Sequence, residues 1–133
     1  AAGLAPFAPE SAALQAGRVM LEQLEHHFAA RESFAFETTL AGRGYLRQID
    51  RWQAAGYRVK IIFLKLASAA EAVARVAERV RQGGHGIAED VIRRRFVAGL
   101  ANFERWYAPR VDAWAVYDNS GAHPVLLDWS EKT

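Results

Sequence analysis

One stretch constrains the fold more than any other. Residues 57–66 place Val59, Ile61, Ile62, Phe63, Leu64 and Leu66 in an almost continuous apolar run. Such a run reads as a strand covered on both faces, the habit of parallel sheets. Parallel neighbours need long crossover connections, and the segments on either side of this run have helical spacing. The chain is therefore expected to be α/β, a parallel sheet with flanking helices.

The remaining segments fit that frame. The Ala/Pro-rich start up to Pro9 reads as a loop. A helix follows it, with Leu14, Leu21, Leu24 and Phe28 on one side. Residues 33–38 alternate like a short strand, with Phe34 and Phe36 on one face. Gly42 and Gly44 break the chain before a second helix over 45–55, which buries Tyr45, Ile49 and Trp52 and ends at Gly56. Ser68 caps a third helix that runs through Arg81, with Val73, Val76 and Val80 inward. A long helix over 88–107 turns Ile92, Phe96, Leu100 and Phe103 inward. Two further strands, 113–117 and 125–127, are joined by the turn composition Asp118-Asn119-Ser120-Gly121. Ligand groups gather at the carboxyl ends of parallel strands. That places Glu37, Thr38 and Thr39 at the end of the first strand, and Lys65 and Ser68 near the end of the second.

A chain of 133 residues makes one domain with a real core. Three lysines leave fourteen arginines among the seventeen basic residues, and the formal charge is only +2. So small a charge gives no reason to expect a nucleic-acid partner. The absence of cysteine excludes disulfides, thiolate zinc sites and cysteine nucleophiles. It also makes the cytoplasm the default compartment. No apolar run approaches the roughly 20 residues of a membrane helix. No His, Asp and Glu arrangement has metal-ligand spacing. Trp52, Trp106, Trp114 and Trp129 read as core or edge packing.

Residues 79–96 carry the strongest chemical signal. Two arginine-bearing helical segments flank Gly83-Gly84: Arg79 and Arg81 before it, Arg93, Arg94 and Arg95 after it. The guanidinium is a permanent cation whose planar fork suits phosphate. Two such segments about a glycine pair have the design of a lid that closes over phosphate. The bland alternatives are an i,i+4 ion-pair ladder with Glu71 and Glu78 on a solvated helix and a basic helix surface. Arg75 fits the ladder better. Arg93, Arg94 and Arg95 project about 100° apart, so they cannot share one ligand.

Ser-Phe-Ala-Phe-Glu-Thr-Thr-Leu (33–40) with Gly42-Arg43 is one block of a wider pattern. Gly56-Tyr57 before the apolar strand, with Leu66-x-Ser68 after it, is a second. Arg79-Val80-x-x-Gly83-Gly84-His85 with Ile92-Arg93-Arg94-Arg95-Phe96 is a third, and Asn102-Phe103, Tyr107 and Tyr117-Asp118-Asn119-Ser120 complete the set. In this order and spacing they resemble the zeta-toxin-like P-loop kinases, especially the bacterial branch described as predicted ATPases, across essentially the whole chain. The resemblance implies a P-loop kinase-like fold with a helical lid, ATP as donor with its Mg²⁺, and a small-molecule acceptor. Zeta toxins proper phosphorylate UDP-N-acetylglucosamine, so a UDP-sugar is the acceptor it suggests. It also implies an N-terminal strand, a Gly-rich loop ending Gly-Lys-Ser/Thr, and a catalytic aspartate, none of which this sequence contains. The chain reads as starting just after that aspartate, as the C-terminal portion of the complete domain. That makes it either a fragment or a truncated relative.

The resemblance assigns roles by position. Arg79 is the lid arginine, and Arg94, with Arg95 as alternate, is the second residue at the ATP phosphates. His85 touches phosphate or supports the lid. Glu37 orients the acceptor, and Thr38 and Arg43 bind it. Each has a plainer reading: a solvated strand end for Glu37, ordinary strand-end threonines, exposed arginines and a surface histidine. Without the loop that cradles phosphate and holds Mg²⁺, the chain alone is expected to be a weak kinase or none. The alternative is a non-catalytic remnant that binds an antitoxin-like partner or a second copy of itself through exposed sheet edges and apolar helix faces.

Overall fold

The computed structural model describes residues 9–133, with side chains from residue 14 onward. The N-terminal loop, apart from Pro9, lies outside the described residues. The chain divides into two compact units, Ala1–Glu37 and Thr38–Thr133.

In the first unit, helix α1 spans Pro9–Ala29. Leu24 is buried and Phe28 half-buried, whereas Leu14 and Leu21 are exposed, so only the later half of the expected apolar stripe is covered. The helix stops at Arg31, whose φ is 58°. The Arg31 N–H donates to the Phe28 carbonyl at 3.1 Å and the Glu32 N–H to the His27 carbonyl at 3.0 Å. That pair of bonds about a left-handed residue is the Schellman motif, here without glycine. The His27 ring stacks on Phe34, 6.0 Å between centroids.

The second unit holds the sheet and four further elements: α2 (Tyr45–Ala54), β1 (Lys60–Lys65), α3 (Ala69–Arg81) and α4 (Glu89–Asn102) are followed by a π-helical turn (Phe103–Tyr107) and strands β2 (Ala113–Asp118) and β3 (Val125–Glu131). Strand order is β1-β2-β3. β1 and β2 run parallel, from Lys60 opposite Ala113 to Lys65 opposite Asp118. β3 adds an antiparallel edge, with an irregularity at Val116/Tyr117. The α/β reading holds, with a mixed sheet flanked by helices.

Two expectations change. Residues 33–38 form no strand. Alternation makes an extended segment amphipathic, but a strand exists only once a neighbour pairs with it. Moreover, Thr38 and Thr39 turn the chain: their Oγ1 atoms accept from the N–H groups of Leu40 (3.2 Å) and Ala41 (3.4 Å), and Leu40 is left-handed with φ 54°. The apolar run of β1 is also not covered on both faces. Ile61 and Phe63 are half-buried, but Ile62 and Leu64 are more than half exposed. Every residue of β3 is exposed, including Leu126 and Trp129.

The core lies on the Phe63 side of the sheet. Phe63 stacks on Phe103 at 4.7 Å, and Phe103 meets Trp114 edge-on at 5.8 Å. The wider π-helical turn, closed by Ala108 N–H to the Phe103 carbonyl (2.8 Å), keeps both Phe103 and Tyr107 buried. Ile49, Trp52, Ile92 and Val111 complete the interior. α2 and α3 both end in Schellman motifs like that of α1, on Gly56 and Gly83, each with φ 94°.

Candidate functional site

The lid segment is built from α3 and α4, which pack against each other. α3 starts because the Ser68 Oγ accepts the Glu71 N–H at 3.2 Å. It ends because Gly83 adopts the left-handed conformation: the Gly83 N–H donates to the Val80 carbonyl at 3.0 Å and the Gly84 N–H to the Arg79 carbonyl at 2.7 Å. The glycine pair is thus a fixed cap, not a loose joint. A Cβ on Gly84 would stand 2.9 Å from the Arg79 oxygen. His85 follows on an exposed linker, 85–88, before α4.

The arginines of this region sort into two groups. Arg75, Arg81 and Arg93 pair with Glu71, Glu78 and Glu89, as a solvated ladder should. Among the described residues Arg79, Arg94 and Arg95 have no carboxylate partner. Arg79 lies in the last turn of α3, bonded through its own carbonyl to the cap. On α4, Arg94 is exposed, on the side away from the buried Ile92 and Gly99. Arg95 is half-buried and one helical turn from Gly99, on the same face.

That face of α4 carries the loop over 38–43. Gly99 comes so close to the chain that a Cβ there would lie 2.4 Å from the Thr39 carbonyl oxygen. The Asn102 Nδ2 donates to the Leu40 carbonyl at 2.8 Å, and the buried Tyr107 hydroxyl to the Gly42 carbonyl at 2.8 Å. Burial raises the Tyr107 pKa, so the hydroxyl stays a donor. The Arg43 guanidinium sits 5.2 Å from the Trp106 ring centroid. Thr38, Thr39 and Arg43 are thereby held together on α4 and the turn that follows it. Glu37 closes the first unit and is exposed.

The carboxyl ends of β1 and β2 form a closed network that the sequence had indicated only as a turn. The Asn119 N–H donates to the Lys65 carbonyl at 2.8 Å. The Ser120 Oγ accepts the Ala67 N–H at 3.0 Å and donates to Glu71 Oε2 at 3.0 Å. Arg75 reaches both Glu71 and the Asn119 carbonyl, so it ties the strand ends to α3 as well as serving the ladder. The Ser120 backbone N–H, then its hydroxyl, then the charge of Lys65 hold the Asp118 carboxyl below its ordinary range. A cleft of about 370 Å³ lies at the opposite end of β2, between Val111, Asp112, Trp114 and Lys132, away from these groups.

Sequence reasoning found the arginines and the loop but gave no role to Gly99, Asn102, Tyr107 or Trp106. The signal was present in the Asn102-Phe103 and Tyr107 positions of the pattern, about two and three turns beyond Arg95. Among the described residues no group of three or more His, Cys, Asp or Glu could hold a metal ion. No helix of the described residues is long and apolar enough to cross a membrane.

Comparison with known proteins places the geometry. An uncharacterized protein of Haemophilus influenzae (strain ATCC 51907 / DSM 11121 / KW20 / Rd) is 30% identical over 93 residues, covering 68% of this chain and 65% of that protein. The match thus spans a little under two thirds of the relative's length. No solved structure matches. The model of the Zeta toxin family matches residues 8–126, from before α1 to the start of β3. With nearly the whole chain covered, from the loop on α4 through the arginine-bearing lid, the protein belongs to the zeta-toxin family.

Proposed function

We propose that this chain serves ATP-dependent phosphotransfer of the zeta-toxin type to a small molecule, in the family's case a nucleotide sugar such as a UDP-sugar. The observation that carries the reading is the sorting of the lid arginines. A solvated helix pairs its arginines with nearby carboxylates, and α3 and α4 do so for Arg75, Arg81 and Arg93. Among the described residues Arg79, Arg94 and Arg95 are left without a carboxylate partner, on two helices that pack together. Unpaired guanidiniums suit the charge that spreads over phosphoryl oxygens during transfer. Arg95 takes the second role in preference to Arg94, because Arg95 shares the α4 face that holds the acceptor loop. Thr38 and Arg43 line that loop, Glu37 precedes it, and His85 sits in the linker that joins the lid helices.

ATP supplies the phosphoryl group and Mg²⁺ neutralises its charge. In the family a Gly-rich loop would supply the lysine and hydroxyl that hold both. Calorimetric titration with Mg·ATP tests the assignment. Arg79→Ala and Arg95→Ala each weaken binding about tenfold, the loss of one charge-assisted contact, whereas Arg94→Ala leaves it unchanged. A loss confined to Arg94→Ala returns the role to that residue, and equal binding by all variants removes the lid assignment.

A second reading has its own observation. Ile62, Leu64, Leu126 and Trp129 are large apolar side chains about half or more exposed, a surface suited to a protein partner, an antitoxin-like protein or another copy. Light scattering that shows a monodisperse monomer across a wide concentration range rules out the second copy.

A further inference from the structure

The cleft at the amino end of β2 shares no residue with the lid or with the loop over 38–43. Its volume of about 370 Å³ is at the lower end of the range for small-molecule pockets. Val111 and Trp114 form its apolar part, and Glu104, Asp112, Ser130 and Lys132 line the rest. Three separate elements meet here: the π-helical turn, the start of β2 and the end of β3.

The polar groups of this cleft are unevenly used. Lys132 donates its ammonium to the Pro109 carbonyl at 2.8 Å. Asp112 uses one oxygen twice, for the Val59 N–H at 2.7 Å and the Gln53 amide at 3.2 Å. Among the described residues its other oxygen accepts no bond, and neither Glu104 nor the Ser130 hydroxyl has a partner. The sequence shows why Glu104 is left over. Three and four positions away stand Leu100, Ala101, Tyr107 and Ala108, none of them basic. Arg58 and Arg110 do not fill the gap, because Glu131 and Asp50 hold them. Two carboxylates against one committed ammonium leave the cleft net negative beside an indole. Glu104 also stands on the π-helical turn, a rare geometry that is frequent at functional sites.

We infer that this cleft binds a small organic cation, an ammonium on a compact apolar body, with Glu104 as its counter-charge. Separate features select each part of that ligand. The unspent oxygens of Glu104 and Asp112 are acceptors, and the Ser130 hydroxyl can accept as well, so the ligand must bring N–H donors. A charged donor gains most from a carboxylate, and an indole face adds its own attraction for a cation. Val111 and Trp114 suit an apolar body of modest size. An anion would meet two carboxylates and an ammonium already bonded to Pro109.

The indole N–H resonance of Trp114 reports on the cleft, assigned by its disappearance in Trp114→Phe. Benzylamine, cationic at neutral pH, is the probe. Benzyl alcohol is its uncharged counterpart and benzoate its anionic one. Benzylamine shifts the Trp114 signal along a saturating curve at millimolar concentration. Benzyl alcohol binds about tenfold more weakly, and benzoate more weakly still. Glu104→Gln changes an exposed side chain. It lowers benzylamine affinity about tenfold and leaves that of benzyl alcohol unchanged, a split that a merely structural change would not produce. Ser130→Ala lowers benzylamine affinity by less. The Arg79→Ala, Arg95→Ala variant, which tests the lid, leaves the Trp114 response intact, so the cleft and the lid fail or stand separately. A Trp114 signal that does not saturate with benzylamine, that responds equally to benzyl alcohol or to benzoate, or that is indifferent to Glu104→Gln overturns the cation site.

Discussion

Gly99 is the most closely approached of the described glycines, and replacing it with alanine has a sign that can be worked out in advance. In an unconstrained helix interior, Gly→Ala stabilises by about 1 kcal/mol. At Gly99 the new methyl carbon would stand 2.4 Å from the Thr39 carbonyl oxygen, against an ordinary contact of 3.4 Å or more. The opposing atom is backbone and cannot swing aside, so α4 and the loop over 38–43 must separate by about 1 Å. Overpacking of this kind costs about 1–3 kcal/mol. The separation also strains the 2.8 Å bond from Asn102 to the Leu40 carbonyl, worth about 1 kcal/mol. Net of the helix gain, Gly99→Ala loses about 2 kcal/mol, a fall of roughly 6–8 °C in Tm for a chain of this size. Gly17→Ala is the matched control. It lies inside α1 with nothing within 4 Å of the added Cβ, so it gains up to about 1 kcal/mol. Thermal unfolding followed by circular dichroism measures both. A Gly99→Ala protein as stable as the wild type, or more so, refutes the close approach of α4 to the loop.

Other perturbations have equally definite outcomes. Arg31→Gly relieves a left-handed non-glycine residue at the end of α1 and raises stability by about 1 kcal/mol in chemical denaturation; a loss would mean the Arg31 side chain does more than cap. Gly83→Ala strains the cap at φ 94° and costs about 1 kcal/mol, measured in the same assay, where an unchanged midpoint would contradict the Schellman geometry. Asp112 accepts the Val59 N–H at 2.7 Å and the Gln53 amide at 3.2 Å. The Val59 bond above all, then Gln53 and the charges of Arg58 and Lys132, hold its pKa below the ordinary value. Its contribution is therefore full above about pH 4, the ordinary carboxylate value, and is lost as pH falls through the lower folded value. Asp112→Asn costs about 1.5 kcal/mol at neutral pH, and the gap to wild type narrows in acid; a gap independent of pH refutes the charged bond. Tyr107→Phe leaves the Gly42 carbonyl without its donor and costs about 1 kcal/mol, with the Trp106 indole resonance shifting as the loop loosens.

What could be read in the sequence was what depends on neighbours along the chain. Ser68 as a cap, Gly56 as a helix stop, and the helical spacing of Ile92 and Phe103 act over a single turn, and each stands where expected, whereas Gly83-Gly84, read as the pair about which a lid folds, caps α3. The parallel pairing of residues 60–65 also followed, because an apolar run between helical segments has few other uses. Misreadings came where the deciding partner was distant. The 33–38 alternation resembles a strand, but strandhood depends on a neighbour that the alternation does not specify, and the hydroxyls of Thr38 and Thr39 favour a turn. Ile62 and Leu64 share a run with Ile61 and Phe63 but lie on the exposed face of the strand. Residue type does not separate Arg94 from Arg95, and the preference proposed for Arg95 rests on which face of α4 meets Thr39, where Gly99, a glycine with no local reason to sit inside a helix, makes the close approach. The stop at Arg31 was invisible for the converse reason: a left-handed position held by a residue that does not advertise it.

The cap on α3 has a mechanical consequence. Because the Gly84 N–H is bonded to the Arg79 carbonyl, the residue that would sense phosphate and the residues that begin the connection to α4 are one stiff piece. Any change of angle between the two lid helices is thus confined to the four peptide units of residues 85–88, with their fulcrum beyond the glycines. α3 then acts as a fixed jaw and α4 as the lever. Arg95 and Gly99 share one face of that helix, so a change in the angle of α4 would also press on or release the Thr39 backbone that Gly99 meets.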